Sequence, residues 1–358
     1  MSLAVTVLKN SAVLLLFLLF ISCGTKNKEY ANNVFPYSQF PQEKELKGEV
    51  IELDTALFRY PFRIRIEGDK AIVLDLHGSD YYGHLFQYPS FRYLSSFGRR
   101  GDSPLEMLSM ENFRLHNHTL WTLDANKSEL TRLDFSLSGD SLLREETVAL
   151  DEDILRPLDF AIYNDTTFVI PDYSGESRFL KVDCKGKLIE KIGTIPTTNK
   201  KALQEARPAL AQAWRSFLDY NSHNSVLATV TQLGEVVEIY NLKDSTHVIR
   251  VGEYDEPEFK VSDGYGIPTG IMGFSDVQVT DDAIYAVFHG TSFKDIARQS
   301  GRLSDGGKYI YVFSLKGEPL CKYVLDHYIY GIWVDEVTKT IMATDVNNDQ
   351  PILKFSFG

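Results

Sequence analysis

The 358-residue chain combines 44% hydrophobic with 24% charged residues, a composition that excludes an intrinsically disordered protein. Its formal net charge is −12 at pH 7 and no strongly basic tract balances it, so we expect no nucleic-acid partner. The length allows one large all-β domain or two smaller domains.

Near the start, residues 14–24 read LLLFLLFISCG and follow Lys9. A basic residue, a short apolar run and a small residue before a cysteine predict an export signal. The run is shorter than the roughly 20 residues of a membrane-spanning helix, which favours cleavage. An ordinary signal peptide that happens to contain a cysteine is the alternative.

The tetrapeptide ISCG at residues 21–24 resembles the lipobox of bacterial lipoproteins, whose cysteine becomes the acylated N-terminus. This resemblance implies a signal peptide at residues 1–22 and lipidation of Cys23. We interpret the polar residues that follow as a lipid-anchored tether over residues 23–47. The expected address is the cell envelope, on the periplasmic side of the outer membrane.

Beyond residue 60 the chain repeats a unit of four β-rich runs separated by polar turns. One run recurs six times and ends in a polar residue, mostly aspartate, and its copies end 49, 48, 59, 58 and 56 residues apart. These copies are residues 71–75, 120–124, 168–172, 227–231, 285–289 and 341–345. Four β-runs in a repeat of about 40 to 50 residues are typical of a propeller blade. The sequence therefore predicts an all-β fold, a six-bladed β-propeller of four-stranded antiparallel blades over residues 48–358.

The two ends of this region predict how the ring closes. The sixth unit stops after Ser356 without an outermost strand, while residues 48–54 precede the first unit without a partner. Pairing of residues 48–54 with residues 352–356 would close the ring and remove exposed sheet edges.

Two connections between the β-rich runs are unusually long. Residues 199–220 have a helix-forming composition around Pro208, which predicts two short helices inserted between blades 3 and 4. Residues 291–307 show no periodicity and predict a long loop in blade 5. Function tends to be carried by such loops on a rigid scaffold.

Residues 97–107, FGRRGDSPLEM, resemble the aromatic-Gly-Arg-x-Gly-x-x-Pro-x-Glu turn of the TolB-like six-bladed propeller lipoproteins of Bacteroidetes-type bacteria, which are related to NHL-repeat propellers. The fuller family form has glycine where Asp102 or Leu105 stands here. With the lipobox and the six units, the resemblance covers nearly the whole mature chain. It implies a fold and an address, because the family has no single established activity.

A column of aspartates ends four of the recurring runs and also resembles NHL repeats; its members are Asp75, Asp124, Asp172 and Asp345, while Thr231 and His289 break it. We interpret these carboxylates as caps that accept backbone N–H bonds in the following turn.

The sequence has no phosphate-binding loop, nucleophile elbow, zinc-protease motif or Cys-x-x-Cys pair, so catalytic residues stay unassigned and no metal ligand is predicted. Propeller enzymes gather single residues from the innermost strands, which line the central channel. Counting back 12 or 13 residues from the end of each recurring run gives the candidate channel-lining residues Arg63, Asn112, Asp159, Asp219, Asp276 and Trp333.

Two functions remain open at this point. The first is a noncatalytic binding or scaffolding module, a monomer whose two insertions shape one face for a protein, peptide or glycan partner and which needs no cofactor. The alternative is a metal-assisted hydrolase or lyase, in which Asp159, Asp219 and Asp276 converge on a divalent cation.

Overall fold

Antiparallel sheets follow one another along the chain, because each repeat supplies four runs of β-branched and aromatic residues between polar turns. The computed structural model describes residues 32–54, 58–299 and 303–358. Within those ranges no helix has both the length and the apolar character to cross a bilayer. The predicted signal peptide and Cys23 lie outside the described residues.

Three short strands precede the repeats: β1 (Val34–Pro36), β2 (Gln42–Leu46) and β3 (Glu49–Ile51). The next twelve strands form blades 1 to 3, four strands to a blade with the innermost first: β4 (Pro61–Glu67), β5 (Lys70–Asp75), β6 (Tyr81–Gln87), β7 (Arg92–Arg99), β8 (Met110–His116), β9 (Thr119–Asp124), β10 (Glu129–Phe135), β11 (Leu142–Ala149), β12 (Ala161–Asn164), β13 (Thr167–Pro171), β14 (Phe179–Asp183) and β15 (Leu188–Ile192).

Two helices, α1 (Lys200–Glu205) and α2 (Arg207–Ala213), lead into the second half of the ring. Blade 4 consists of β16 (Ser216–Asn221), β17 (Val226–Thr231), β18 (Val236–Asn241) and β19 (Thr246–Val251). A hairpin of β20 (Phe259–Ser262) and β21 (Tyr265–Pro268) follows it. Blade 5 consists of β22 (Phe274–Val279), β23 (Ala283–Phe288), α3 (Phe293–Arg298), β24 (Gly307–Ser314) and β25 (Pro319–Ile329). Blade 6 begins with β26 (Ile332–Asp335), β27 (Thr340–Thr344) and β28 (Ile352–Ser356).

The first strand of every blade lies at the axis, where it contacts the first strands of other blades. The second strands coincide with the six recurring runs of the sequence. The six-bladed β-propeller of four-stranded antiparallel blades is thereby confirmed.

The N-terminal strand β3 completes blade 6 by pairing antiparallel with β28, with Val50 opposite Leu353. The predicted partner was residues 48–54, and the strand itself is shorter, Glu49–Ile51. Sheet edges are thus protected at the joint where the chain closes on itself.

The predicted tether over residues 23–47 needs correction at its C-terminal end. Strand β1 adds to the outer edge of blade 4, parallel to β19, and β2 adds to the outer edge of blade 5, parallel to β25. The compact unit begins at Asn33, so the propeller includes residues assigned to the tether. These strands are mostly exposed and lack an alternating apolar pattern, which is why they read as a linker.

The core lies between neighbouring blades. Blades 5 and 6, for example, pack Ile310, Leu325, Ile341 and Phe355 into one cluster. Full burial of a side chain such as Phe355 contributes about 1.5–3 kcal/mol. These interfaces make the ring a rigid support for its connecting loops.

Candidate functional site

The predicted channel residues of blades 1 and 5 form a buried ion-pair cluster. Arg63 Nη1 lies 2.8 Å from Asp276 Oδ1, and Arg65 donates to both oxygens of the same carboxylate at 3.0 Å. The backbone N–H of Ile332 in blade 6 also donates to Asp276, at 2.9 Å. Burial alone would raise the pKa of Asp276, but Arg63 and Arg65 hold it below its usual range. The guanidinium of Arg63 also lies 4.5 Å from the ring centroid of Phe217.

A second cluster joins blades 2, 3 and 4. Asp159 accepts hydrogen bonds from Asn112 Nδ2 at 2.6 Å and from Arg114 Nη2 at 2.7 Å. Its other oxygen accepts the backbone N–H of Leu218 at 3.0 Å. The carboxylate is therefore occupied by protein donors on both oxygens.

The remaining two candidates, Asp219 and Trp333, do not form the ion pairs of the two clusters. Asp219 Oδ2 accepts the backbone N–H of Val279 at 2.8 Å, and burial raises the pKa of Asp219. Trp333 packs between blades 6 and 1, where its ring centroid lies 5.8 Å from that of Tyr88.

All six candidates thus belong to the innermost strands or directly precede one, but the structure does not bring them together as an open channel lining. Arg63, Asn112, Asp159 and Asp276 are inaccessible to solvent. Opposite charges pair at the axis, between blades 2 and 3 and between the non-adjacent blades 1 and 5, since a buried carboxylate without a partner is costly. The structure does not gather Asp159, Asp219 and Asp276 into one ligand set, and in the part of the chain that it describes there is no group of three His, Cys, Asp or Glu side chains placed to hold a metal ion.

The aspartate column caps the following turns as predicted: Asp75, Asp124, Asp172 and Asp345 accept the backbone N–H groups of His77, Asn126, Ser174 and Asn347 at 3.2, 3.1, 2.8 and 2.8 Å. Asp75 and Asp124 also bind the connection that precedes their blade. Asp75 accepts the backbone N–H groups of Arg59 and Tyr60 at 2.8 and 2.7 Å. Asp124 likewise accepts the N–H of Leu108 at 2.7 Å, and Asp172 accepts that of Ser177 at 2.8 Å. These carboxylates fix the connections at one end of the blades.

That end of the ring carries all the long connections. Because strands alternate in direction, the links between blades and the turns from second to third strands share one face. The helices α1 and α2, the β20–β21 hairpin and α3 all belong to such connections. We call this end the insertion face.

The helices on the insertion face form where the sequence predicts them. Asn199 caps α1 by accepting the backbone N–H of Ala202 at 3.0 Å, and Pro208 lies in the first turn of α2, where a missing N–H costs nothing. Leu210 and Trp214 are buried beside blade 4. The predicted segment 199–220 extends too far, because β16 begins at Ser216.

The β20–β21 hairpin was missed by the sequence analysis. Its turn contains Asp263 and Gly264, both with positive φ, which is the dipeptide favoured in tight hairpins. The hairpin packs on α2: Gln212 accepts the backbone N–H of Gly266 at 3.1 Å, and a Cβ at Gly266 would lie 2.2 Å from the carbonyl oxygen of Ala209. Only glycine allows this close approach.

The second predicted insertion, residues 291–307, is not simply a loop. It contains α3, which Ser292 caps by accepting the backbone N–H of Asp295 at 3.0 Å. A helix of six residues is too short to show periodicity in the sequence.

A cavity of about 390 Å³ lies on the insertion face above blades 3 and 4. We call it the insertion-face cavity. Five connections line it, and its residues are Leu155, Arg156, Leu158, Tyr173, Pro208, Gln212, Arg215, Leu233, Tyr265, Gly266 and Pro268. The lining is apolar with a few polar groups, as in binding sites for small ligands. Sequence reasoning missed most of these residues, because they come from separate connections without a common spacing.

The insertion-face cavity contains two guanidinium groups and no carboxylate, in a chain of net charge −12. Arg215 is half-buried, its Nε is inaccessible to solvent and has no hydrogen-bond partner, and burial lowers its pKa. Tyr173 Oη is also inaccessible and unpartnered. Burial raises the pKa of Tyr173, and the approach of the backbone N–H of Ser216 partly offsets this effect.

The opposite face has a depression of about 490 Å³ between the inner hairpins of blades 4, 5 and 6. Three of its four acidic residues, all but Asp282, are already engaged within the protein. Asp281 accepts from Asn221 at 2.9 Å, Asp335 accepts the backbone N–H of Val337 at 2.9 Å, and Glu336 accepts the Tyr285 hydroxyl at 2.9 Å. The insertion-face cavity is therefore the better candidate site.

Six closed four-stranded blades with a cavity on one face define the protein as a six-bladed β-propeller. The family model described as a TolB-like 6-blade propeller matches residues 39–337, and the chain belongs to this family. No curated protein sequence matches the chain.

Solved structures share the fold at low sequence identity. A Bacteroides fragilis protein described as exported has a TM-score of 0.56 and 12% identity, with 90% of this chain and 98% of that chain covered. A member of the DUF4221 family from Bacteroides vulgatus has a TM-score of 0.53 and 9% identity, covering 88% and 96%. An auxiliary nutrient binding protein from Bacteroides ovatus has a TM-score of 0.52 and 10% identity, covering 84% and 70%.

Proposed function

We propose that this protein is an exported lipoprotein, anchored through Cys23, whose propeller is a noncatalytic binding module. Its insertion face binds a protein, peptide or glycan, and the propeller acts as a monomer on the periplasmic side of the outer membrane. The observation that carries the proposal is the insertion-face cavity, which is built entirely from connections rather than from the repeated strands.

The central carboxylates favour binding over the metal-assisted alternative. Asp159 and Asp276 accept hydrogen bonds from arginines and from backbone N–H groups of the next blade, so their oxygens are engaged in holding blades together. A similar fold in an auxiliary nutrient binding protein is in keeping with a binding role, although fold alone does not define function.

The proposal is tested with the soluble domain, which is the purified propeller from Asn33 to Gly358, on peptide and polysaccharide arrays. The affinity for any ligand found is then measured for two matched variants. Leu155 lines the insertion-face cavity and Leu143 lies on the outer strand of blade 2, and both are 52% exposed. Leu155→Asp should weaken binding at least about tenfold, since it places a charge against an apolar wall, while Leu143→Asp should leave it unchanged.

Equal effects of the two substitutions would contradict a site on the insertion face. Turnover of an ester or glycoside that is lost in Asp159→Ala or Asp219→Ala, with the fold retained, would establish the hydrolase alternative instead.

A further inference from the structure

The insertion-face cavity has the chemistry of a carboxylate receptor, and this inference rests on the binding function proposed above. Arg156 and Arg215 both line it, and neither makes an ion pair or side-chain hydrogen bond in the described residues. Elsewhere in the ring, the buried arginines Arg63, Arg114 and Arg178 are each paired with a carboxylate. Arg250 is likewise half-buried without an ion pair, but its guanidinium lies over the ring of Phe35, whereas Arg156 and Arg215 line a cavity.

Two guanidinium groups are the charged part of the cavity lining. Arg215 is half-buried beside Tyr173, and no protein acceptor in the described residues engages its guanidinium. A ligand carboxylate would accept charge-assisted hydrogen bonds from this guanidinium. Arg156 is exposed at the same cavity and adds positive charge where a ligand would enter.

The rest of the lining indicates what the carboxylate is attached to. Aliphatic side chains of Leu155, Leu158 and Leu233 and the rings of Pro208 and Pro268 form the walls. A sugar ring presents hydroxyl groups around its edge and needs several polar partners, whereas Gln212 is already engaged with Gly266. An apolar side chain next to a carboxylate fits these walls better, and the C-terminal residue of a peptide combines the two.

We propose that the insertion-face cavity binds the C-terminal residue of a peptide. The terminal carboxylate binds Arg215, with Arg156 adding positive charge at the entrance, and the apolar side chain of the last residue packs against the leucine and proline walls. A volume of about 390 Å³ suits the end of a chain rather than a folded domain.

The test uses N-acetyl tripeptides that differ in the last residue, each as the free acid and as the C-terminal amide, titrated into the soluble domain by calorimetry. Acids ending in Leu, Met or Phe should bind, and their amides should bind about 10- to 100-fold more weakly, because a charge-assisted hydrogen bond is lost. Arg215→Gln should weaken binding of the acids by the same factor and leave the amides unchanged.

Arg298→Gln is the matched control, because Arg298 is an arginine on α3 of the same face, with its side chain 64% exposed and outside the cavity. Circular dichroism and thermal unfolding establish that each variant folds. Arg156→Gln covers the case in which Arg215→Gln does not fold, because Arg156 is exposed; it should also weaken the acids selectively.

Several outcomes would overturn the proposal. Equal binding of acids and amides, or no binding by any peptide of the set, would show that the cavity is not a C-terminus receptor. Tighter binding of glucuronic-acid oligosaccharides with the same dependence on Arg215 would assign the cavity to acidic glycans, leaving the proposed binding function intact. If Leu155→Asp weakens binding of a ligand but Arg215→Gln does not, the carboxylate site is refuted and the proposed binding function of the insertion face still holds.

Discussion

Asp276→Asn tests whether the central carboxylates are structural. The substitution keeps the shape of the side chain but removes the charge that neutralises Arg63 and Arg65, both buried. Removing one partner of a buried ion pair typically costs about 3–5 kcal/mol, because the remaining charge is left uncompensated. Here two guanidinium groups lose the same partner, so we expect the free energy of unfolding to fall by about 3–5 kcal/mol.

The assay is equilibrium urea unfolding at pH 7, followed by tryptophan fluorescence. Asp281→Asn is the control, because Asp281 lies in the same blade with its side chain 66% exposed, and its substitution should change the free energy of unfolding by less than about 0.5 kcal/mol. A loss below about 1 kcal/mol in Asp276→Asn, or one equal to that of the control, would refute the reasoning.

The same group predicts a pH dependence. Burial raises the pKa of Asp276 but Arg63 and Arg65 lower it further, so the net pKa is below that of the unfolded chain. A carboxyl with a lowered pKa stabilises the fold above its unfolded pKa, near 3.9, and this contribution is lost as the pH falls through the folded pKa. The stability gap between wild type and Asp276→Asn should therefore narrow as the pH drops below about 4.

Three further predictions concern other parts of the chain. Burial would raise the pKa of Glu238, but Arg178 and His247 hold it at about 2. Glu238→Gln should therefore lower the melting temperature at pH 7, and the melting temperature of the variant should change less than that of wild type between about pH 4.5 and 2. Thermal unfolding across that range checks this, and a parallel loss in wild type and variant would contradict it. Deleting residues 45–55 should lower the urea midpoint of the whole propeller, because β28 loses its outer partner β3; an unchanged midpoint would show that closure does not matter. Cys23→Ser should abolish metabolic labelling with a fatty acid, and persistent labelling would rule out this cysteine as the acylation site.

The repeated part of the fold could be predicted because packing between blades imposes one pattern six times. Each second strand is apolar and almost fully buried, as in β5, β17 and β27. Closure by β3 was predictable too, because the sixth unit lacks a strand. Strands β1 and β2 could not be found, since they add parallel to outer edges with mostly exposed side chains and so have no apolar alternation.

The candidate site could be predicted only in part. Counting back from the aspartate column located innermost positions, but it did not show that Arg65 and Arg114, two residues beyond Arg63 and Asn112, would neutralise the carboxylates. That pairing depends on which blades meet at the axis. The insertion-face cavity is harder to predict from the sequence, because Arg156, Tyr173 and Arg215 come from three different connections. Among the elements that form it, only the β20–β21 hairpin has a recognisable sequence signal, the Asp-Gly turn.

Asp159, Asp219 and Asp276 have a structural role that is independent of the binding site. Asp159 accepts the backbone N–H of Leu218, Asp219 that of Val279 and Asp276 that of Ile332, in each case from the innermost strand of the next blade. These pairs are 59, 60 and 56 residues apart, close to the repeat length itself. A carboxylate at this position ties each of blades 3, 4 and 5 to the next blade, so these three joints require it whatever the protein binds, while Arg63, Asn112 and Trp333 occupy the position in the other blades. The connections of the insertion face do not repeat from blade to blade, so their residues are not fixed by the need to hold blades together. Ligand specificity can therefore differ between propellers through connection residues such as Arg156 and Arg215.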